Sequence, residues 1–270
     1  MKLERLLVPT DFTETSLSAF QDAVLLATQS QVELFHLHIV DSQDAVDKAR
    51  IQLEMLSNRA LVDHKVRVIN LVRIGEFMKS IGDVACEIEA DLILMGTHGI
   101  KGMQWVTGSN AMRILAHSKA PILIRQESKE KLVQHIVVPL DSKLETRQKL
   151  DMAIKLAIVY KARIHLLVER ELETLSIERM NKLIKQVSTY ISDHRVEYTL
   201  NYEDQTITTS RLLDFAYRVG ADLITIINYL EEVYAELFGM TREQELISNK
   251  YNIPVLCVNA KNTAEIITAY

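Results

Sequence analysis

The chain has 270 residues, of which 48% are hydrophobic and 25% are charged, and its formal net charge is −5 at pH 7. This length suits two domains of ordinary size, and an acidic balance without any basic run argues against nucleic-acid binding. No apolar stretch reaches the roughly 18 residues that a membrane span needs. Only two cysteines, Cys86 and Cys257, occur. We therefore predict a cytoplasmic protein without disulfides or membrane spans, in which both cysteines are small core residues.

Strand-like and helix-like patterns alternate along the first half of the chain. The predicted elements are, in order, strand Leu6–Pro9, helix Ser16–Thr28, strand Val32–Val40, helix Ser42–Val62, strand Val66–Val72, helix Glu76–Glu89, strand Asp91–Met95, helix Ser109–Ser118 and strand Pro121–Arg125. Strands that alternate with helices predict an open parallel sheet with helices on both of its faces.

The second half of the chain repeats this order. Its predicted elements are strand Ile136–Pro139, helix Thr146–Tyr160, strand Ala162–Glu169, helix Leu172–Ser192, strand Glu197–Asn201, helix Thr208–Val219, strand Asp222–Ile227, helix Glu231–Asn249 and strand Pro254–Asn259. Short motifs repeat as well: LLVPTDF from Leu6 returns as IVVPLDS from Ile136, ADLILMG from Ala90 as ADLITII from Ala221, and APILI from Ala120 as IPVLC from Ile253. Three matches in the same order, at a nearly constant offset, indicate a duplicated domain.

We therefore predict an α/β chain with two tandem, open, parallel five-stranded sheets. The first domain spans residues 1–126 and the second spans residues 133–270, and the polar stretch Gln126–Leu132 is the natural linker between them.

The first half contains a glycine-rich loop. The chain has eight glycines, and four of them lie between Gly96 and Gly108. Ligands of open parallel sheets bind beyond the carboxyl ends of the strands, where Asp11 and Gly96 are predicted to lie. Gly108 and Ser109 stand where the next predicted helix begins, and the free N–H groups of a helix start attract phosphate. The pattern predicts a nucleotide, with its base and ribose near Asp11 and its phosphates over the loop.

The segments VPTDF, LFHLHIV, MGTHG and GSNAMRILAHSKAPILI resemble the universal stress protein family. Because the resemblance extends over both halves, the chain is similar to a tandem, two-domain member, with the fold of the adenine nucleotide alpha hydrolase-like (HUP) class. The ATP-binding pattern of that family is Gly, two residues, Gly, nine residues, then Gly followed by Ser or Thr. Here the eight residues Ile100–Thr107 separate Gly99 from Gly108, one fewer than in the pattern.

The resemblance implies ATP or another adenine nucleotide as the ligand, with Mg²⁺ as a companion ion. By this carry-over Asp11 and Ile39 contact the adenine or ribose, and Met95 and Gly96 line the floor. The phosphate contacts fall to Gly99, Gly108, Ser109 and Asn110. The full implied nucleotide-binding set is Thr10, Asp11, Ile39, Met95, Gly96, His98, Gly99, Gly108, Ser109 and Asn110.

The second half departs from this pattern. INYL replaces GTHG, and Met240 follows Gly239 where the first half has a serine, whereas Gly239 and Asp141 persist. We therefore predict that the second domain binds no nucleotide and serves as a pseudo-dimer partner. The resemblance implies that strands Pro121–Arg125 and Pro254–Asn259 pair across a pseudo-twofold axis. A homodimer of the whole chain and an unidentified protein partner stay open.

Three alternatives compete with the nucleotide-binding regulator. One is a ligand-free interaction module in which both pockets are vestigial. Another is an enzyme of the adenine nucleotide alpha hydrolase type, but TDFTETS after the first strand has no glycine for the phosphate loop that it needs. The third is a metal site at His36 and His38, which lacks an evident third ligand, so core or rim packing is favoured. No Walker motif, CxxC or triad spacing occurs, so we predict no catalytic residues and at most weak ATP hydrolysis.

Overall fold

A computed structural model describes residues 2–96, 114, 118, 120–126, 133–140, 146–170, 173–228 and 242–260. The chain divides into two compact units, Met1–Lys131 and Leu132–Tyr270, which we call the first and the second unit. The predicted helix Ser109–Ser118 lies almost wholly outside the described residues, as does most of the predicted linker.

The first unit alternates strands and helices as predicted. Its described elements are β1 (Arg5–Thr10), α1 (Glu14–Gln29), β2 (Glu33–Val40), a 3₁₀ turn (Gln43–Ala45), α2 (Val46–His64), β3 (Val68–Ile74), α3 (Phe77–Glu87), β4 (Leu92–Gly96) and β5 (Ile122–Arg125). The predicted helix Ser42–Val62 is thus a short 3₁₀ turn followed by an α-helix. Every residue of β1 from Leu6 to Thr10 is buried, which suits a central strand covered on both faces.

The sheet of the first unit is parallel, with strand order β3-β2-β1-β4-β5. From β1 the chain moves outward through β2 to β3, and then returns to the other side of β1 to form β4. Because such crossovers are right-handed, α1 and α2 cover one face and α3 covers the opposite face. The strand order reverses between β1 and β4, so a crevice is expected beyond their carboxyl ends.

The second unit repeats this architecture. Its described elements are β6 (His135–Leu140), α4 (Thr146–Tyr160), β7 (Arg163–Glu169), α5 (Thr174–Asp193), β8 (Tyr198–Glu203), α6 (Thr209–Arg218), β9 (Leu223–Asn228), α7 (Arg242–Ile247) and β10 (Val255–Asn259). These strands are parallel in the order β8-β7-β6-β9-β10. The predicted α/β fold is confirmed, and each unit has five described parallel strands. Of the predicted helix Glu231–Asn249, the described part is α7 with the residues that follow it.

Each unit contains a hydrogen-bonded clasp that explains the repeated Ala-Asp-Leu motif. In the first unit, Asp91 Oδ2 accepts hydrogen bonds from the backbone N–H groups of Glu4 and Arg5, at 2.7 and 3.0 Å. In the second unit, Asp222 Oδ2 accepts from the N–H groups of Gln134 and His135, at 2.9 and 3.1 Å. Each aspartate thereby ties the start of its own strand to the start of the central strand of its unit.

Replacing Asp222 by alanine is expected to destabilise the second unit, because two backbone donors lose a carboxylate acceptor. Asp222 is only 6% exposed, and we expect the free energy of unfolding to fall by about 2 kcal/mol in urea denaturation. Asp222→Asn keeps an acceptor oxygen and serves as the control, with a smaller loss. Equal losses in the two variants would show that the clasp is not the cause.

Candidate functional site

The turn between β1 and α1 is closed by side-chain hydrogen bonds. Asp11 Oδ1 accepts from the backbone N–H of Thr13 at 3.0 Å and from the Thr13 hydroxyl at 2.5 Å. Thr13 is the N-cap of α1, and its hydroxyl accepts from the Ser16 N–H. The backbone N–H of Phe12 donates to Thr10 Oγ1 at 3.1 Å. The N–H groups of Phe12, Thr13 and Ser16 therefore have hydrogen-bond partners within the turn.

The carboxylate of Asp11 is poised as a hydrogen-bond acceptor. Burial by itself raises the pKa of Asp11, but hydrogen bonds from Thr13 and Ser16 outweigh it and leave the pKa below its ordinary value. Asp11 is therefore ionised at neutral pH. One of its oxygens holds the turn, so its remaining capacity suits a partner with hydroxyl or amino donors.

Gly96, the last residue of β4, lies against the first turn of α1. A Cβ built on Gly96 would lie 2.9 Å from the Ser16 nitrogen and closer still to the carbonyl of Thr15. Real Cβ atoms do not approach backbone this closely, so the packing of β4 on α1 requires glycine here. The sequence pattern attributed Gly96 to a ligand, and the structure adds this packing reason.

The other predicted site residues fall into two groups. Thr10 and Met95 lie at the carboxyl ends of β1 and β4 with side chains 1% and 2% exposed, whereas Ile39 on β2 is half-buried. Asp11 and Gly96 both meet the first turn of α1, so the structure brings these two residues together. His98, Gly99, Gly108, Ser109 and Asn110 lie outside the described residues, and their predicted roles stay predictions.

Two histidines of β2 pack on the α1 side of the sheet. The ring of His36 is fully buried and stacks on Phe20, with centroids 4.0 Å apart. His38 lies against Phe12 and pairs through Nδ1 with the carbonyl oxygen of Thr10 at 2.7 Å. The favoured prediction of core packing is confirmed for His36. Within the described ranges no group of three or more His, Cys, Asp or Glu side chains could hold a metal ion.

The strand-like run that predicted β2 did not indicate the hydrogen bond between His38 and the backbone of Thr10. This contact joins the end of β2 to the end of β1, next to Asp11. The hydroxyl-rich sequence TDFTETS was the available signal for the bonded turn, since Ser, Thr and Asp favour helix N-caps. Cys257 is buried as predicted, but the prediction of a buried Cys86 is wrong, because Cys86 lies exposed on α3.

The second unit places larger side chains at two counterparts of small residues. In the duplicated sequence Gly96 corresponds to Ile227, which is 5% exposed. Ala19 corresponds to Lys149, which is 2% exposed. At the end of β9, Asn228 Nδ2 donates to Asn259 Oδ1 of β10 at 3.0 Å. This edge of the second sheet is therefore built differently from that of the first.

The fold defines a class of protein, the open parallel α/β domain whose strand order reverses between β1 and β4. A model of the universal stress protein family matches residues 2–125. A universal stress protein of Methanocaldococcus jannaschii is 27% identical over 143 residues, which cover 47% of this chain and 84% of that protein. Residues 2–125 therefore match the universal stress protein family, and the predicted family resemblance is confirmed.

Two solved structures are similar over both units. A universal stress protein from Archaeoglobus fulgidus matches with a TM-score of 0.76 and 16% identity, over 97% of this chain and 100% of its own. A protein of unknown function from Pseudomonas aeruginosa matches with a TM-score of 0.64 and 14% identity, over 99% of this chain and 95% of its own. At these identities the likeness shows the fold alone. Across the described helices, none is long and apolar enough to cross a membrane.

Proposed function

We propose that the first unit binds an adenine nucleotide beyond the carboxyl ends of β1 and β4. The observation that carries this proposal is the position of Asp11, an ionised carboxylate directly after the central strand at the reversal of strand order. The base and ribose lie near Asp11 and Ile39. The phosphates lie toward Gly99, Gly108, Ser109 and Asn110, with His98 beside them and Mg²⁺ as their counterion.

The turn at Asp11 supports this proposal because it is preorganised. The hydrogen bonds from Thr13 fix the carboxylate before any ligand arrives, so little conformational entropy is lost on binding. Ribose hydroxyl groups and the adenine amino group are donors of the kind that a carboxylate accepts. Thr10 and Met95 are buried beneath this turn and support it through backbone and packing.

The second unit, in this proposal, binds no nucleotide. Its counterpart of Gly96 is the buried Ile227, and the buried Lys149 replaces Ala19. Both substitutions put side-chain volume where the first unit has little or none. The second unit then acts as a pseudo-dimer partner of the first, through the predicted pairing of the last strands, and a homodimer of the whole chain stays a separate proposal.

The role that follows is regulatory rather than catalytic. Nucleotide occupancy in the first unit biases a conformation that a protein partner reads, in support of stress tolerance in the cytoplasm. This requires a difference in nucleotide affinity between two conformations, since a ligand shifts an equilibrium only by its differential affinity. Any ATP hydrolysis is weak and incidental.

Isothermal titration with AMP, ADP and ATP, each with and without Mg²⁺, tests the binding step. We expect Asp11→Asn to weaken the preferred nucleotide about tenfold or more, since a charge-assisted hydrogen bond contributes roughly 1.5–3 kcal/mol. Asparagine keeps the acceptor oxygen that holds Thr13, so the turn survives. The matched control is Asp141→Asn in the second half, which should leave affinity unchanged.

Two results would decide against this function. Absence of heat with every nucleotide up to millimolar concentration favours the ligand-free interaction module instead. The packing of Gly96 on α1 supports that alternative, because it explains this glycine without any ligand. Equal weakening by Asp11→Asn and Asp141→Asn would show that binding is not confined to the first unit.

A further inference from the structure

The second unit contains a shallow, solvent-open cavity of about 310 Å³ between α5 and the carboxyl ends of β7 and β8. Because β7 and β8 lie on the opposite side of β6 from β9, this cavity is separate from the strand-order reversal. Its walls are mainly apolar and include Val168, Ile177, Met180, Ile184 and Tyr202. Its volume is at the lower end of the range of about 300–1,000 Å³ for ligand sites.

The cavity arises because the beginning of α5 is not packed on the sheet. In the first unit, Val46 and Ala49 in the first turns of α2 are buried against Val40 and Val72. In α5, by contrast, Leu175 and Ile177 are 68% and 40% exposed, and the first buried residue is Met180. The duplicated helix therefore leaves open a space that the first unit fills with its own side chains.

Exposed apolar side chains also line this cavity. Tyr202 on the edge strand β8 is 49% exposed, and Ile177 on the opposing wall is 40% exposed. Exposed apolar side chains grouped at a cavity mark an entry for an apolar ligand more often than scattered ones do.

The polar groups at the rim are the Glu169 carboxylate, the Arg170 guanidinium and the Asn181 amide. Glu169 Oε2 already accepts the backbone N–H of Ile207 at 2.9 Å. Arg170 lies over the ring of Tyr202, 5.3 Å from its centroid, with its Nε 2.9 Å from Asp204 Oδ1. This ion pair holds the guanidinium at the rim while its side chain stays 61% exposed. The remaining guanidinium N–H groups, together with the amide of Asn181, can donate to a ligand.

We propose that this cavity binds a small amphipathic molecule, with its apolar body between α5 and Tyr202 and its anionic end at Arg170. The site is independent of the nucleotide proposed for the first unit. It would give the second unit a ligand of its own, although the glycine loop is replaced in that half of the chain.

Two fluorescent probes test separately whether the cavity binds an apolar body and whether Arg170 binds an anionic end. Anilinonaphthalene sulfonate carries an aromatic body with an anionic end, and N-phenylnaphthylamine carries a similar body without charge. We expect both probes to bind the full-length protein at one site per chain. Ile177→Trp should weaken both probes at least tenfold, because the indole occupies the cavity. Ile51→Trp on the exposed face of α2 is the matched control and should change neither affinity.

The charged end is tested by Arg170→Gln, which should weaken the sulfonate probe about tenfold and leave the neutral probe unchanged. If Arg170→Gln affects neither probe, the anionic end is overturned. If neither probe binds the parent protein, the cavity is not the site. The same conclusion follows if Ile177→Trp binds both probes as tightly as the parent protein does. Should Ile177→Trp fail to fold by circular dichroism, Tyr202→Ala provides the same test, because Tyr202 is a half-exposed wall residue.

Discussion

Replacing Gly96 by alanine is expected to destabilise the first unit by about 3 kcal/mol or more, as measured by urea denaturation. The added methyl group would meet the carbonyl of Thr15 and the nitrogen of Ser16, both of which are backbone atoms. Backbone atoms in the first turn of a capped helix cannot move aside as the end of a flexible side chain can. Either α1 shifts away from β4 or the end of β4 distorts, and both changes disturb the turn that holds Asp11.

Gly220→Ala is the matched control for this effect. Gly220 has a φ of +64°, and nothing lies within 4 Å of a Cβ built there. Only the left-handed backbone conformation then opposes the substitution, and it should lower the free energy of unfolding by about 1 kcal/mol. Its counterpart in the first unit is Glu89, which has a φ of +49° and already carries a side chain. A Gly96→Ala variant as stable as Gly220→Ala would contradict the close packing of β4 on α1.

Replacing His36 by phenylalanine is expected to make the protein less sensitive to acid. Burial, with a smaller contribution from His38, lowers the pKa of His36 from 6.5 to about 3. The unfolded chain therefore binds a proton at this residue below pH 6.5, whereas the folded chain does not until about pH 3. Stability must fall as the pH falls through this window, by about 1.4 kcal/mol for each unit.

The effect is measured by comparing the free energy of unfolding at neutral pH with its value at about two pH units below 6.5. Between these two pH values, the free energy of unfolding should fall by about 3 kcal/mol more in the parent protein than in His36→Phe. Phenylalanine retains the stack on Phe20, so the variant should fold. Parallel losses in the parent and His36→Phe would mean that His36 is not neutral in the folded state.

Much of the fold could be predicted from sequence because it depends on local patterns. The run Leu6–Pro9 identified β1 to within one residue at each end, and Thr146–Tyr160 identified α4 fully. The parallel sheets followed from the alternation of strands and helices, since few connections satisfy the right-handed rule. The position of Asp11 beside Gly96 was likewise predictable, because both residues lie at the ends of neighbouring strands of the sheet.

The contacts between distant residues could not be predicted in this way. The stack of His36 on Phe20 and the approach of Gly96 to Thr15 depend on how closely α1 lies on the sheet. The cavity beneath α5 had no sequence signal either, because both segments are predicted as helices and only the structure shows that the first turn of α2 is buried and that of α5 is exposed. The exposure of Cys86 depended on which side of α3 faces outward, which composition alone does not determine.

The clasp at Asp91 has a consequence for the order of events during synthesis. The two donors of this clasp precede their acceptor by 87 and 86 residues, and β1 gains its second neighbour only with β4. A nascent chain can pair β1 with β2, and β2 with β3, early, but one edge of β1 stays open until Asp91 has left the ribosome. One edge of β1 is therefore unpaired over a defined interval of synthesis, and the same holds for β6 until β9 follows.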